Sequence, residues 1–425
     1  MGGNISSAVG QQYGGRRVLV YSQDGLGLGH LRRSFTIAAE FVARAPDAAI
    51  LVISDSPAPP FAPPAGVDYL KLPTVVKEDA TLWKAGSLRL DVEEIVRLRA
   101  SIMLEVYTQF RPDTILVDHM PVGALGELKP VLDAATKRRP RPRLFLGLRD
   151  VLGRPTAIRQ AWQELGVYDY LGLYDGVLVY GCCEIHDAGV AYDMTTRAAG
   201  IYYANYVAKE SVPIVSNGST PPSEPFVLMV GGGGHDAFPL ADAFLRALPD
   251  VATESELHAV IVTGPNMPTS EQHALHELAG SSRLFKHVRV ARALPDIAGW
   301  MQQASAIVSM GGYNSLCEIL TWHRRAVVVP RSGPSDEQRI RSRLFAQRGL
   351  VRMIEPHELT PERLAGELSE TLVASGLPDL ARIPPLDGAK RAASVLLDGI
   401  EAVDATETTQ EKILVETALA ARPGG

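Results

Sequence analysis

The sequence predicts an α/β protein built from two Rossmann-like, doubly wound parallel-sheet domains that face a central cleft. Three observations lead there. Strand-like and helix-like segments alternate along most of the chain, each half opens on a short apolar run that stops at a glycine-rich turn, and the alternation restarts near residue 225. With 425 residues the chain exceeds one ordinary core and suits two domains of roughly 150–200 residues. Its 46% hydrophobic content supplies apolar side chains for both.

RRVLVYS (residues 16–22) is a β-branched run that ends at DGLGLGH, after which HLRRSFTIAAEFVARA carries apolar residues at helical spacing. The opening therefore reads as strand, glycine loop, helix. AAILVIS (48–54) and DYLKLP (68–73) follow on either side of a Pro-rich loop, and a helix is expected over Val92 to Phe110. DTILVD (113–118), RLFLGLRD (143–150), GVLVYG (176–181) and RAAGIYY (197–203) continue the alternation. Such a series implies a mostly parallel sheet covered on both faces. SNGSTPPSEP (216–225) is polar and has no apolar period, so it is read as the linker between a domain over residues 16–215 and one over 226–385.

The second cycle begins at once with PFVLMV (225–230), GGGGHD and a helix through LADAFLRAL. HAVIVTG (258–264), HVRVAR (287–292), SAIVSMGG (305–312) and AVVVP (326–330) supply its further strands. Residues 1–15 read as a disordered leader, and residues 386–425 as C-terminal helices and a tail in which EKILVETALAA forms a terminal helix.

Composition narrows the function. A net charge of −6 carries no basic surplus for a nucleic-acid partner. Three cysteines, two of them adjacent, form no disulfide framework and suit a reducing compartment. The first residues lack the basic and apolar regions of a signal peptide, and no run approaches the ~18 apolar residues of a membrane span. The expectation is a soluble, cytoplasmic protein with no stable membrane insertion.

Two glycine loops stand at matching places in the two halves. DGLGLGH places glycines at 25, 27 and 29, where missing Cβ atoms let a ligand approach the backbone just before a helix N-terminus. It is not a dinucleotide fingerprint, because the GxGxxG spacing needs a glycine where His30 stands, which argues against hydride transfer. GGGG (231–234) repeats the device. In MGGYNSLCEIL (310–320) a strand feeds a Gly-Gly turn, and Asn314 and Ser315 stand where a helix is expected to start. Backbone amides and the Ser315 hydroxyl can meet a diphosphate there, aided by the helix dipole. Glu318 has two readings: the partner of Ser315 in a capping box, or a carboxylate that accepts both hydroxyls of a ribose. Asp118-His119 and Arg149-Asp150 close two strands, and ligands bind beyond the carboxyl ends of parallel strands.

At these residues the chain resembles the MurG-like branch of GT-B glycosyltransferases, glycosyltransferase family 28, and in particular predicted glycosyltransferases that share its GLGHLRR opening. The likeness is strongest from Pro225 to Arg352, where VGGGG, RVARALPDIAGWMQQAS, MGGYNSLCE and VVVPRSGPSDEQRIRS follow in the family's order. The resemblance implies a GT-B fold with a nucleotide-sugar donor, a UDP-sugar foremost. By that likeness Gly232, Gly233, Gly234, Gly312, Tyr313, Asn314 and Ser315 hold the diphosphate, with His235 beside it. Glu318 holds the ribose, Arg292, Ala293 and Leu294 cradle the base, and Glu337-Gln338 meet the donor sugar. The other reading of Glu337 and Gln338 is a polar helix start, SDEQ.

His30 ends the first glycine loop where related enzymes carry GGH or GxGH, so it is a candidate general base toward the acceptor hydroxyl, or a contact to acceptor or phosphate. Asp118 or Asp150 would orient His30 or replace it as base. Gly27, Gly29, His119 and Arg149 are the candidate acceptor contacts, and the acceptor itself, a small molecule, a glycan or a secondary metabolite, stays open. No metal or other cofactor is expected, because helix dipoles and amides can stabilise a departing diphosphate. The implied reaction is an inverting transfer of a hexosyl or N-acetylhexosaminyl group. Met310, standing where plant and antibiotic enzymes have a histidine, argues against those branches. An epimerase of the UDP-N-acetylglucosamine 2-epimerase type and a non-catalytic nucleotide-sugar binding protein are the alternatives.

Overall fold

The computed structural model describes residues 15–24, 29–56, 62–77, 83–208, 220–251, 257–281, 287–294, 297–333, 335–374 and 378–399. The leader before residue 15, Gly27, the start of the linker and the EKILVETALAA segment lie outside the described residues.

The first half contributes β1 (Arg17–Ser22), β2 (Ala49–Ser54), β3 (Val67–Lys71), β4 (Val75–Lys77), β5 (Trp83–Ala85), β6 (Thr114–Asp118), β7 (Arg143–Arg149), β8 (Gly176–Tyr180) and β9 (Ile201–Tyr203). Seven of them form one parallel sheet in the order β3-β2-β1-β6-β7-β8-β9. The apolar runs of β6 and β8 are buried at every residue, as a sheet covered on both faces requires. The Val92–Phe110 helix occupies the span its apolar spacing indicated, and its start is fixed by a capping box: Asp91 accepts from the Glu94 amide while Glu94 accepts from the Asp91 amide. The β4–β5 antiparallel hairpin was not foreseen, because strands of three residues are too short to show a period.

The second half repeats the plan with β10 (Phe226–Val230), β11 (His258–Val262), β12 (Val288–Ala291), β13 (Ala306–Ser309), β14 (Ala326–Val328) and β15 (Arg352–Met353). They too are all parallel, in the order β12-β11-β10-β13-β14-β15. In both sheets the first strand lies centrally and the chain later returns to its other side, so the strand order reverses between β1 and β6 and between β10 and β13. Ligands of open parallel sheets settle at such reversals.

The last described helix, Gly388–Asp398, leaves the second half and packs against the Gly29–Arg44 helix of the first. Arg143 caps it, donating from Nη2 to the carbonyls of Leu396 at 2.6 Å and Leu397 at 3.0 Å. Gly388 donates its amide to the Tyr206 carbonyl at 3.0 Å, and a Cβ on Gly388 would fall 2.5 Å from the Asn205 carbonyl oxygen, so only glycine fits the crossing.

Where the halves meet, apolar and charged contacts interlock. Tyr206 stacks on Tyr313 with ring centroids 5.9 Å apart and meets Phe345 edge-on at 5.5 Å. The Tyr313 hydroxyl donates to the Tyr180 carbonyl at 3.0 Å and accepts from the Val207 amide at 2.9 Å. Beside it Arg341, on the Glu337–Gln347 helix, is 0% exposed and grips the equally buried Asp150 with Nε at 2.9 Å and Nη2 at 2.7 Å on Oδ1, while the Tyr206 hydroxyl donates to Oδ2 at 3.0 Å. Arg341→Leu would strand the Asp150 charge in the interior, so urea unfolding should show a loss of about 3–5 kcal/mol. The double replacement Asp150→Leu with Arg341→Leu should recover most of that loss; equal damage in both variants would show that packing, and not the charge, sets the cost.

Candidate active site

In the first sheet Ser22 of β1 lies opposite Asp118 of β6, so the residues after both strands open on the same edge. His30, second residue of the Gly29–Arg44 helix, is 7% exposed and sets Nδ1 2.7 Å from Oδ2 of Asp118. Arg33, buried one turn further on, donates from Nη2 to both Asp118 oxygens at 2.8 Å and from Nε to Oδ1 at 3.3 Å. The same Nη2 lies 2.8 Å from His30 Nδ1. Nη2 has two protons for three atoms at 2.8 Å, and a charged carboxylate draws them more strongly than a neutral ring nitrogen; an unprotonated Nδ1 would also set its lone pair against a carboxylate oxygen. The consistent assignment puts the imidazole proton on Nδ1, donated to Asp118, and the lone pair on Nε2.

His119 follows with φ +76°, a left-handed conformation costly for a residue with a Cβ, and its ring centroid lies 4.5 Å from that of His30. Burial holds the His30 pKa well below the ordinary histidine value, and the Arg149 and Arg33 cations push the same way. Asp118 does not reverse this, since Arg33 already matches its charge. His119 is likewise held well below the ordinary value by burial, then by His30 and Arg149. Nearby, Asp24 accepts from the Leu31 amide at 2.9 Å and the Ser56 hydroxyl at 3.2 Å, and burial pushes its carboxyl up to about 6. The amide at the start of this helix is thus served by the chain's own carboxylate.

The second sheet offers its counterpart. Val230 of β10 is in register with Ser309 of β13, which sets the Gly231–Gly234 turn beside the Met310–Gly312 turn. Gly232 and Gly234 take φ +61° and +94°, and a Cβ on Gly234 would meet the Thr263 carbonyl oxygen at 2.7 Å. Gly232, Gly233 and His235 are exposed. Arg292 ties the loop after β12 to the loop after β11, donating from Nη2 to the Pro265 carbonyl at 2.7 Å, with Ala293 exposed and Leu294 buried beyond it. The Tyr313–Thr321 helix has Gly312 as its N-cap and no side-chain cap. Ser315 therefore sits inside the helix and not at its cap, so the capping-box reading of Glu318 is not realised. Along the sheet edge the implied base, diphosphate and sugar residues follow β12, β10, β13 and β14, which is also the spatial order of those strands.

Three contacts at this edge join the two sides. Asn314 donates to the Gly29 carbonyl at 3.1 Å, and Arg32 reaches Glu318 at 3.0 Å. Arg149 reaches Oε1 of Glu337 at 2.7 Å, and Arg341 reaches the same oxygen at 2.9 Å. Burial pushes the Glu337 carboxyl up, but Arg149 and Arg341 outweigh it and hold its pKa below the ordinary range. Glu337 does begin a helix, as the SDEQ reading has it, but it is buried and charged there. Gln338 is partly buried and accepts from the Arg331 amide at 3.3 Å.

The structure brings His30, Asp118, His119, Arg149 and Glu337 into one cluster and sets Asn314 and Glu318 against the first helix. Two other expectations change. Asp150 is locked by Arg341 with no exposed surface, so in this arrangement it joins the domains and neither orients nor replaces His30. Tyr313 is 4% exposed and turns its ring into the joint, so its backbone but not its side chain belongs to the turn. Sequence reasoning passed over Arg32, Arg33 and Arg341. The first two stand in HLRR, with Arg33 at i+3 from His30 and so on the same helix face, which is the signal that could have marked it.

The neutral histidines fix a pH dependence. In the unfolded chain they take up protons as pH falls through about 6.5, whereas the folded chain resists. Their stabilisation is present above that value and is lost as pH falls below it, at up to about 1.4 kcal/mol per pH unit for each. Asp24 works oppositely, binding its proton near pH 6 in the folded state. Denaturation midpoints should therefore fall from pH 7 to 6 and go on falling below it, because two histidines outweigh one carboxyl, and Asp24→Asn should make the fall below pH 6 steeper. A flat profile in that upper window would mean the histidines are charged in the fold.

Residues 227–376 match the glycosyltransferase family 28 C-terminal domain. A protein of Rhizobium etli named UDP-N-acetylglucosamine--N-acetylmuramyl-(pentapeptide) pyrophosphoryl-undecaprenol N-acetylglucosamine transferase is 28% identical over 45% of this chain and 50% of its own. An uncharacterized glycosyltransferase of Methanosarcina mazei is 22% identical over 46% of this chain and 49% of its own. The chain spans about half the length of the curated relatives it matches. Among solved structures, the glycotransferase of kitacinnamycin covers 93% of this chain and 98% of its own with a TM-score of 0.57 and 18% identity. MurG of Acinetobacter baumannii covers 92% and 99% with a TM-score of 0.51 and 13% identity. The protein has the GT-B fold, and within its second half residues 227–376 are similar to the glycosyltransferase family 28 C-terminal domain.

Proposed function

We propose that the protein is an inverting glycosyltransferase that moves a hexosyl or N-acetylhexosaminyl group from a nucleotide diphosphate sugar, a UDP-sugar foremost, to an acceptor hydroxyl. The observation that carries this is a neutral imidazole, His30, anchored through Nδ1 to Asp118 and set across the cleft from the row of donor loops. In the reaction the acceptor oxygen bonds to C1 of the sugar as the bond from C1 to the diphosphate oxygen breaks. The bonding pair leaves with the diphosphate, and the hydroxyl proton passes to His30 Nε2. One displacement with one base leaves no covalent intermediate, hence inversion.

The domain over residues 16–215 receives the acceptor, with Gly29, His119 and Arg149 near it, and the domain over 226–385 holds the donor. The amides of the Gly232–Gly234 and Gly312–Ser315 turns take the diphosphate, helped by the dipole of the Tyr313–Thr321 helix, so that no metal is required. Glu318 takes the ribose by displacing Arg32, and Glu337, whose two cations both bind Oε1, offers Oε2 to a sugar hydroxyl. A cytoplasmic setting suits the three free cysteines.

Thermal shifts against UDP-, TDP-, GDP- and ADP-sugars identify the donor, since ligand at about 100 times its dissociation constant adds about 2.7 kcal/mol. Release of UDP only in the presence of an acceptor separates transfer from epimerisation. His30→Ala should lower turnover by about 10²–10⁴-fold and leave donor affinity nearly unchanged. The acid limb of the rate profile should lie below the ordinary histidine value of about 6.5, because burial lowers the His30 pKa. Loss of donor binding with the maximal rate kept would instead make His30 a phosphate contact. Glu318→Ala should weaken nucleotide-sugar binding by about 1.5–3 kcal/mol, the worth of a charge-assisted hydrogen bond; unchanged affinity would remove Glu318 from the ribose site.

A further inference from the structure

Arg33 lies on the same helix as the imidazole, and its guanidinium is engaged both by a carboxylate and by aromatic rings. Nη2 and Nε meet Asp118, and the planar face lies over Tyr180 at 5.0 Å and over Tyr313 at 5.4 Å. The Asp118 carboxylate in turn touches His30 through Oδ2, so the two residues compete for one anion. Arg33 is 2% exposed, and nothing about a helix surface requires a buried cation one turn from its start. A lysine could match the charge but could not hold both carboxylate oxygens in one plane.

We propose that Arg33 is the positioning residue of this site: its fork holds the Asp118 carboxylate in the one orientation that keeps the His30 proton on Nδ1 and the lone pair on Nε2. The inference deepens the reading of His30 as the base and rests on it for its catalytic consequence. Tyr180 belongs to the first half and Tyr313 to the first turn of the helix that follows the implied diphosphate turn. The arginine that orients the base is therefore itself seated by both domains, and the base is correctly set only when the second domain is in place.

Among the described residues, the groups that face His30 are Arg33 on its own helix, Asp118 at the end of β6 with His119 just after it, and Arg149 at the end of β7, with Glu337 behind Arg149 from the second domain. Of these Arg33 touches both the imidazole and its anchor. Removing its charge takes away a cation that disfavours the imidazolium and frees Asp118 to favour it. Both changes push His30 toward protonation.

Nitrogen NMR of the ¹⁵N-histidine-labelled full chain tests this without any substrate. In the unaltered protein His30 should show the neutral Nδ1–H tautomer at pH 7; the Nε2–H tautomer overturns the proposal outright. In Arg33→Gln the His30 titration should move up by a pH unit or more, and in Arg33→Lys, which keeps the charge, it should stay low while the tautomers mix. A His30 signal that is unchanged in both variants overturns the proposal. With substrates, Arg33→Gln should lower kcat by about 10²-fold, the lower end of what a general base supplies, move the acid limb upward and leave the donor KM nearly constant. Tyr180→Phe, which keeps the ring, should leave the profile in place. If the NMR signals move as described but His30→Ala keeps its rate, the positioning role stands and the reading of His30 as base falls.

Discussion

Arg341 and Asp150, both without exposed surface, meet across the joint between the two halves, and the cleft takes its shape from that contact. A buried charge is tolerable only when paired and hydrogen-bonded, so the two domains cannot part here without exposing or stranding one of the pair. The same helix that carries Arg341 carries Glu337 four residues earlier, and β7, which ends at Arg149, precedes Asp150 directly. One ion pair thus brings a second, Arg149 with Glu337, into the cleft, and seats the Tyr313 ring between the two guanidinium groups of Arg33 and Arg341.

The cleft is balanced in charge by such pairs. Arg32 meets Glu318, Arg33 meets Asp118, Arg149 meets Glu337 and Arg341 meets Asp150. Arginine is the cation in every case, which follows from its fork geometry and its weaker hydration compared with lysine. Beside these pairs stand two histidines, which burial keeps uncharged, and Asp24, whose carboxyl burial pushes up to about 6. A site arranged this way can take up a proton during a reaction without already holding one.

The two sheets share a plan but use their glycine turns differently. In the second half the Gly231–Gly234 turn bends through positive φ against Thr263 and Gly264 and leaves exposed backbone at Gly232 and Gly233, as a close approach to a ligand demands. In the first half Asp24 already occupies a helix amide, and the residue that the turn presents is a side chain, His30.

The sequence alone determined the parallel sheets and the order of the elements, because those depend on local period: β-branched runs, helical spacing from Val92 to Phe110, and glycine at the turns. It also marked His30, Asp118, Asn314, Glu318 and Glu337, because chemistry gathers at the ends of parallel strands and those ends can be read from the text. The three-residue strands of the β4–β5 hairpin stayed hidden, being shorter than any period. What only tertiary structure decided was partnership. Asp118 ends β6 and Asp150 directly follows the neighbouring β7, with much the same local text, yet one meets a histidine and the other an arginine 191 residues away. Burial and long-range charge pairing, which local text does not encode, made the first part of the candidate site and the second a bolt of the fold.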